Sequence, residues 1–577
     1  MFNRYFQQEL TYLKELAAEF ARAHPSLAPM LSGAGQDPDV ERLFEGVAFT
    51  AGLLRQKLED EFPEIIHGLM DLIFPHYLRP TPSTSIIAFT PKPGLKETVV
   101  VPRGTEVASL PVEGTACLFR TAFDVRVDPL RLVDARIVEQ PGRAMLIRLS
   151  LDLEGIPLAG WKSADLRFFL GGSYADATNL AMLLNRHLKS ITFREKRGGR
   201  ELRLPPDMLK PAGFSAEEAL LPYPEQSFPA YRLIQEYFLL PQKFLFLTLE
   251  GPAGWSDRGD GSAFEIDFEL FEPPFYPSRV KPENFRLFAS PVINIFDHTA
   301  VPINLDHRRT EYPVRASGGN PAHYQVFAVD EVTGILRGSV ARRSYAPFDR
   351  FRVSAQDQPV FRILRRLSPV DNSAQIYLSL PYMHTSGVPV EETLSIKLSC
   401  TNGTLPESLQ LGDISRPTAS SPELLAFENI IPTTAPIQPP LGENTLWRFL
   451  SHLSLNYLSV AGSDTLKELL RLYVFPGGRD KAKIAANLKR IDGIETVRVA
   501  SADRLISGYL LRGRDVRLEL RQDCFAGPGD LYLFGAMLDR FFAAYAAMNT
   551  FTRLSVRDTI TGDSYRWQPR IGDTPLL

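Results

Sequence analysis

Near the start of the chain, apolar residues recur in two narrow stripes with a helical period. Phe6, Leu10, Leu13, Ala17 and Phe20 fall at alternating four- and three-residue steps, and Phe44, Val47, Ala51, Leu54 and Leu58 repeat this in the reverse order. Such spacing draws one stripe along a helix, the pattern by which helices pack lengthwise on other helices. Each large side chain gains roughly 1.5–3 kcal/mol on full burial. Both stripes therefore need neighbours, supplied by a hairpin within the chain or by another protein. Asp37-Pro38 predicts the start of the second helix, an acceptor at the cap followed by proline at the first helical position. A third helix is expected from about Glu64 to Phe74, carrying Ile65, Ile66, Leu69, Leu72 and Ile73, with Pro75, Pro80 and Pro82 closing the helical region.

Beyond Pro82 the period changes to two. Phe119, Thr121, Phe123, Val125 and Val127 alternate with mostly polar neighbours, as do Met145, Ile147, Leu149, Leu151 and Leu153. Phe264, Ile266, Phe268 and Leu270 alternate with Glu265, Asp267 and Glu269. These are half-buried antiparallel strands with one wet face each. Proline-rich stretches at Arg416 to Pro422 and Pro432 to Pro440 read as stiff connectors. Helices resume with Leu446, Leu450, Leu453, Tyr457 and Val460 on one face. Asp464 is expected to cap another helix, bearing Leu466, Leu469, Leu470 and Tyr473. Strands follow around Val516, Leu518 and Leu520, then a helix from Leu531 to Met548 and a hairpin at Gly562. The fold class is α+β multidomain. It divides into a helical region at 1–82, a β-rich middle at 83–415 with two subdomains, a Pro-rich linker region at 416–442 and a C-terminal α+β domain at 443–577.

Composition narrows the function. A chain of 577 residues is too long for one core. Its net charge of −3 argues against a dedicated nucleic-acid binder. The cluster Arg362, Arg365 and Arg366 reads as a solvated face. Cys117, Cys400 and Cys524 lie far apart, make no metal-binding spacing, and suit a reducing, cytoplasmic compartment. The N-terminus lacks the apolar core of a signal peptide, and Asp539 and Arg540 make Leu531 to Met548 a poor membrane span.

Candidate chemistry is sparse. Glu265, Asp267 and Glu269 share a strand face at a spacing of about 7 Å, which suits paired carboxylates acting on sugars, or simply a solvent face. Asp297-His298 and Asp306-His307 could meet across a hairpin as a metal site, but no short His–His spacing supports one. Gly254-Trp-Ser-Asp-Arg-Gly259 is one residue too long for a serine nucleophile elbow. No catalytic residue, cofactor or metal is assigned.

Several segments in order along the chain resemble the TssF family of type VI secretion baseplate subunits. They include Tyr5-Phe6-Gln7-Gln8-Glu9-Leu10, Asp37 to Leu43, Leu78 to Ser83, Tyr231 to Phe238 and Phe244-Leu245-Phe246. Asn294-Ile295-Phe296, Leu450 to Asn456, Arg512-Gly513, Phe541-Phe542 and Asn549-Thr550-Phe551 extend the resemblance towards the end. Cys400-Thr401-Asn402-Gly403-Thr404-Leu405-Pro406 departs from it by lacking the family's Arg and Asp. The resemblance implies a structural wedge protein of a Gram-negative bacterium, not an enzyme. Its implied partners are a second copy, TssG, TssK, TssE and the VgrG spike hub. It further implies a cytoplasmic platform for sheath and tube assembly, docked at the inner membrane without insertion. The N-terminal stripes, Phe6, Leu10, Leu13, Phe20, Phe44, Val47, Leu54 and Leu58, would then be the partner interface, and the C-terminal region would self-associate. A wedge protein of a phage-like contractile particle, and a β-rich carbohydrate-binding or carbohydrate-acting protein, are the alternatives.

Overall fold

A computed structural model describes residues 2–25, 38–139, 145–196, 201–224, 227–272, 275, 279–306, 308–336, 342–348, 359–368, 373–380, 391–441, 448, 451, 462–475, 478–506, 509–546 and 550–572. Two helices open the chain, α1 (Phe2–Ala23) and α2 (Pro38–Ile73). The expected second and third helices are one. α2 continues through Pro63, which removes a hydrogen bond at a cost of about 3 kcal/mol. Packing on both sides of the proline offsets that cost: α1 lies along the first half, and Ile66 and Met70 are buried in the second. A 3₁₀ turn at Pro75–Leu78 then stops the helix, where the sequence places its prolines.

Strands dominate from Thr84 onward, and the period-two segments form them. A six-stranded sheet runs in the order Arg416–Pro417, Glu106–Val112, Thr115–Thr121, Ala289–Ile293, Thr84–Pro91, Leu425–Asn429. A five-stranded sheet places Ala263–Leu270 between Leu188–Glu195 and Leu146–Leu153, and a four-stranded sheet centres on Phe246–Glu250 and Asp165–Leu170. Two further helices belong to this part, α3 (Tyr174–Arg186) and α4 (Pro229–Leu239). A separate sheet built around Glu392–Thr401 and Gln325–Leu336 has its own core of Phe296, Val332, Leu378, Leu394 and Ile396.

The stretch read as a linker is extended but stitched down. Arg416–Pro417 pairs with Ala108 and Val107, and the Thr418 and Ser421 hydroxyls donate to the Glu106 carbonyl. Leu425–Asn429 forms the edge strand on Thr84–Pro91, and Ile437 exchanges backbone bonds with Thr81. A proline-rich chain offers few donors of its own, so it lies along the free edges of other strands.

Helix α5 (Ser463–Leu472) buries Leu466, Leu469 and Leu470, but its cap residue is Gly462; Asp464 sits inside the first turn. Helix α6 is Lys481–Asp492 and α7 is Pro528–Ala544. The apolar face expected of Leu446, Leu450, Leu453, Tyr457 and Val460 lies outside the described residues. Strands Ile494–Ile506 and Tyr509–Leu520 form a long hairpin, and Tyr509–Leu520 pairs in parallel with Thr550–Asp558. Parallel neighbours need a crossover, and α7 supplies it. The core of this C-terminal part is continuous with that of the middle. Asp530 of α7 binds Arg490 of α6 at 2.9 Å and accepts from Tyr174 of α3 at 2.8 Å.

Candidate functional site

Helices α1 and α2 pack antiparallel as a hairpin, and small residues set how close they come. Ala17, Ala21 and Ala48 are buried, and Gly52 lies against the backbone of Phe6, where an added Cβ would sit 3.2 Å from the Phe6 nitrogen. Two ion pairs flank the contact, Arg55–Glu9 at 2.7 Å and Lys14–Glu41 at 3.1 Å. Phe6, Leu10, Leu13 and Phe44 are half-buried along this line. The remaining stripe residues point away from it: Phe20 is 48% exposed, Val47 46% and Leu54 59%. The Leu58 side chain lies outside the described residues.

Large apolar residues outside the two stripes extend the exposed surface. Tyr12, Leu16, Leu43, Phe49 and Leu53 are all exposed. On α1, Tyr12, Leu16 and Phe20 follow four-residue steps and form one ridge; Leu43, Val47 and Leu54 form another on α2. Sequence reading missed Leu16 and Leu43 because each stripe was counted as one face. The i, i+4 recurrence of Tyr12, Leu16 and Phe20 was the available signal. An exposed apolar surface of this kind marks an interaction site.

The candidate chemical residues are placed differently. Arg148 binds Asp267 at 2.7 Å and Glu265 at 3.2 Å, and Asp267 is buried. The Lys189 ammonium, together with the Ser190 hydroxyl, holds the Glu269 carboxyl below the usual carboxylate range. All three carboxylates are therefore engaged by basic groups. Asp297 pairs with Arg120 at 2.7 Å, His298 bonds the Ser317 carbonyl, and Asp306 accepts from Tyr312. His298 lies on a strand paired near one end of Glu392–Thr401, Asp306 follows the strand Ile303–Leu305 paired at its other end, and His307 lies outside the described residues. Among the described residues, no group of three His, Cys, Asp or Glu side chains could hold a metal.

In the Gly254–Gly259 segment, Arg258 is buried and donates to the carbonyls of Trp255, Trp161 and Pro252, fixing a loop. Arg365 is not on a solvated face. It is buried and binds Asp71 of α2 at 2.7 Å, while Arg366 grips Glu311 with two bonds. Arg365 thus ties this sheet to α2, whereas Arg366 joins two strands of the same sheet.

The segments that carry the family resemblance are mostly interior. Every residue from Ala230 to Leu239 of α4 is buried. Glu236 accepts from the backbone of Leu220 and Leu221 and pairs with Lys243, both side chains fully buried. Asn402 accepts from Leu118 and from Asn294, so the loop with the departing residues keeps its polar anchor. Gly403 has φ of 55°, a conformation glycine adopts without strain.

Among the described residues no helix is long and apolar enough to cross a membrane. A family profile described as "Type VI secretion system, TssF" matches residues 1–574. The chain is 30% identical to type VI secretion system component TssF1 of Pseudomonas aeruginosa, over 99% of both chains. It resembles a chain of a TssK-TssF-TssG baseplate subcomplex with a TM-score of 0.80 and 31% identity, covering 93% of this chain and 99% of that one. A chain of a type VI secretion baseplate complex matches over the full length of both, with a TM-score of 0.61 and 28% identity. With an α+β architecture, a hairpin greasy on its outside and paired carboxylates throughout its acidic strand, this chain belongs to the TssF family of structural type VI secretion baseplate components.

Proposed function

We propose that this chain acts as a wedge: it holds other baseplate subunits in fixed relative positions and catalyses no reaction. The observation that carries this reading is the outer surface of the α1–α2 hairpin, where Leu16, Phe20, Val47 and Leu54 are exposed in the isolated chain. Permanent interfaces are more apolar than transient ones, and a bundle shared between chains needs such ridges. The occupants are helices of a TssG-like subunit, with a TssK-like adaptor joined to the same wedge; both chemistries occur in the subcomplex that holds a structural relative. A TssE-like subunit, a VgrG-like spike hub and a second copy complete the assembly. Attachment to the inner membrane then comes through the assembly, without insertion of this chain.

Co-purification tests the proposal. Replacing Leu16, Phe20, Val47 and Leu54 with glutamate is expected to abolish recovery with a co-expressed TssG-like partner while the far-UV circular dichroism stays unchanged. Undiminished recovery would rule out the hairpin as the interface. Glutamate at Leu10 and Leu13 is expected to give the same loss by a different route, by parting α1 from α2.

A further inference from the structure

The C-terminal sheet carries an unbalanced arginine row on the face opposite its core. Val516, Leu518, Leu554 and Val556 point inward and are buried. On the other side, Arg498 stands directly opposite Arg517, Arg517 opposite Ser555, and Ser555 opposite Arg566. Arg557 lies two residues along from Ser555, and all four arginines are exposed. With strands about 4.8 Å apart, four guanidinium groups share a strip on the order of 15 Å wide.

Like charges directly across a strand pair destabilise a sheet, so this row costs stability in the free chain. The acids on the same face do not relieve it. Asp515 is engaged by Arg553 at 2.6 Å and Arg504 at 3.3 Å, and Glu519 accepts from Thr496 at 2.7 Å. Among the described residues none of the four arginines has an ion-pair partner within 4.0 Å. A local excess of this kind, on a chain whose net charge is −3, calls for a complementary anion from outside.

We propose that this face docks a carboxylate-rich segment of a partner protein. The charges are arginine, not lysine, and a planar guanidinium fork meets a carboxylate with two parallel hydrogen bonds. Ser555 lies between Arg517 and Arg566, and Thr496 and Ala500 flank Arg498 along its strand; these small residues leave the row flat enough for an extended acidic strand or a helix face. The row bears no aromatic ring on which a base could stack and no large apolar residue to enter a bilayer, so nucleic acid and membrane fit it less well.

The test uses the full-length protein and an immobilised polyglutamate peptide as probe. Binding that weakens with added salt is expected, with a loss on the order of tenfold or more in the triple variant Arg498→Gln, Arg517→Gln, Arg566→Gln. A charge-matched control, Lys96→Gln, Arg131→Gln, Arg416→Gln, should bind like the parent. Equal loss in both variants, or no binding by the parent, would overturn the proposal. Tighter binding to phosphatidylglycerol vesicles or duplex DNA than to the peptide, lost in the same triple variant, would overturn the choice of a protein partner. So would self-association in sedimentation that the triple variant removes, since the occupant would then be a second copy. Because the peptide assay needs no baseplate subunit, its failure leaves the hairpin interface untouched.

Discussion

Single residues show how far this interior departs from an apolar average. Glu236 and Lys243 are both fully buried, and such a pair persists only if each charge keeps its partner. Glu236→Gln keeps an acceptor for the Leu220 and Leu221 amides but strips Lys243 of its counter-charge. It should cost about 3–5 kcal/mol, measured by urea denaturation. Burial pushes the Cys117 thiol up to about 11 and the Cys400 thiol up to about 12, while Cys524 is only partly covered. In the native protein Cys524 should therefore react with a thiol reagent well before the other two, with the full count of three reached on denaturation. Lys483 gives a pH signature. Burial beside the carbonyl end of α4 lowers its ammonium to about 8, below its ordinary 10.5. Its contribution to stability is complete above the unfolded value and is lost as pH falls through about 8, because the folded state then takes up a proton at a poor site. The difference in melting temperature between Lys483→Met and the parent should shift in the variant's favour from about pH 10 down to about pH 7.

At the scale of elements, the N-terminal hairpin separates contact from display. Gly52 and the alanines let α1 and α2 approach closely, with Phe6, Leu10, Leu13 and Phe44 half-buried along the contact and Phe20, Val47 and Leu54 of the same stripes turned outward. Gly52→Leu would force a branched side chain into the Phe6 backbone and should destabilise the hairpin by about 1–3 kcal/mol. Hydrogen exchange along α1 would rise first, before any change in the β region. The alternating strands were legible because an amphipathic strand leaves its period in the sequence. The merging of two helices across Pro63 was not, because packing on both sides outweighs a local penalty that sequence rules treat as a boundary.

For the whole molecule, the division proposed at 416–442 and 443–577 follows changes of sequence period, whereas the core runs across both borders. Gly529 of α7 lies against the Thr178 and Asn179 backbone of α3, and Asp530 is shared among Tyr174, Tyr237 and Arg490. Residues 443–577 expressed alone should consequently lack a cooperative thermal transition in calorimetry, while the full chain shows one.

Local chemistry written into the chain determined the period of each segment, the α+β class, the sparseness of catalytic groups and the family. Each of these depends on neighbours within a few residues or on motifs in fixed order. Only the tertiary structure decided which edge of a stripe is covered, that Arg365 is buried against Asp71, and that the acidic face of Ala263–Leu270 is neutralised by Arg148 and Lys189. Those outcomes rest on side chains brought together from distant positions, and a pattern of spacing carries no record of what will lie opposite it.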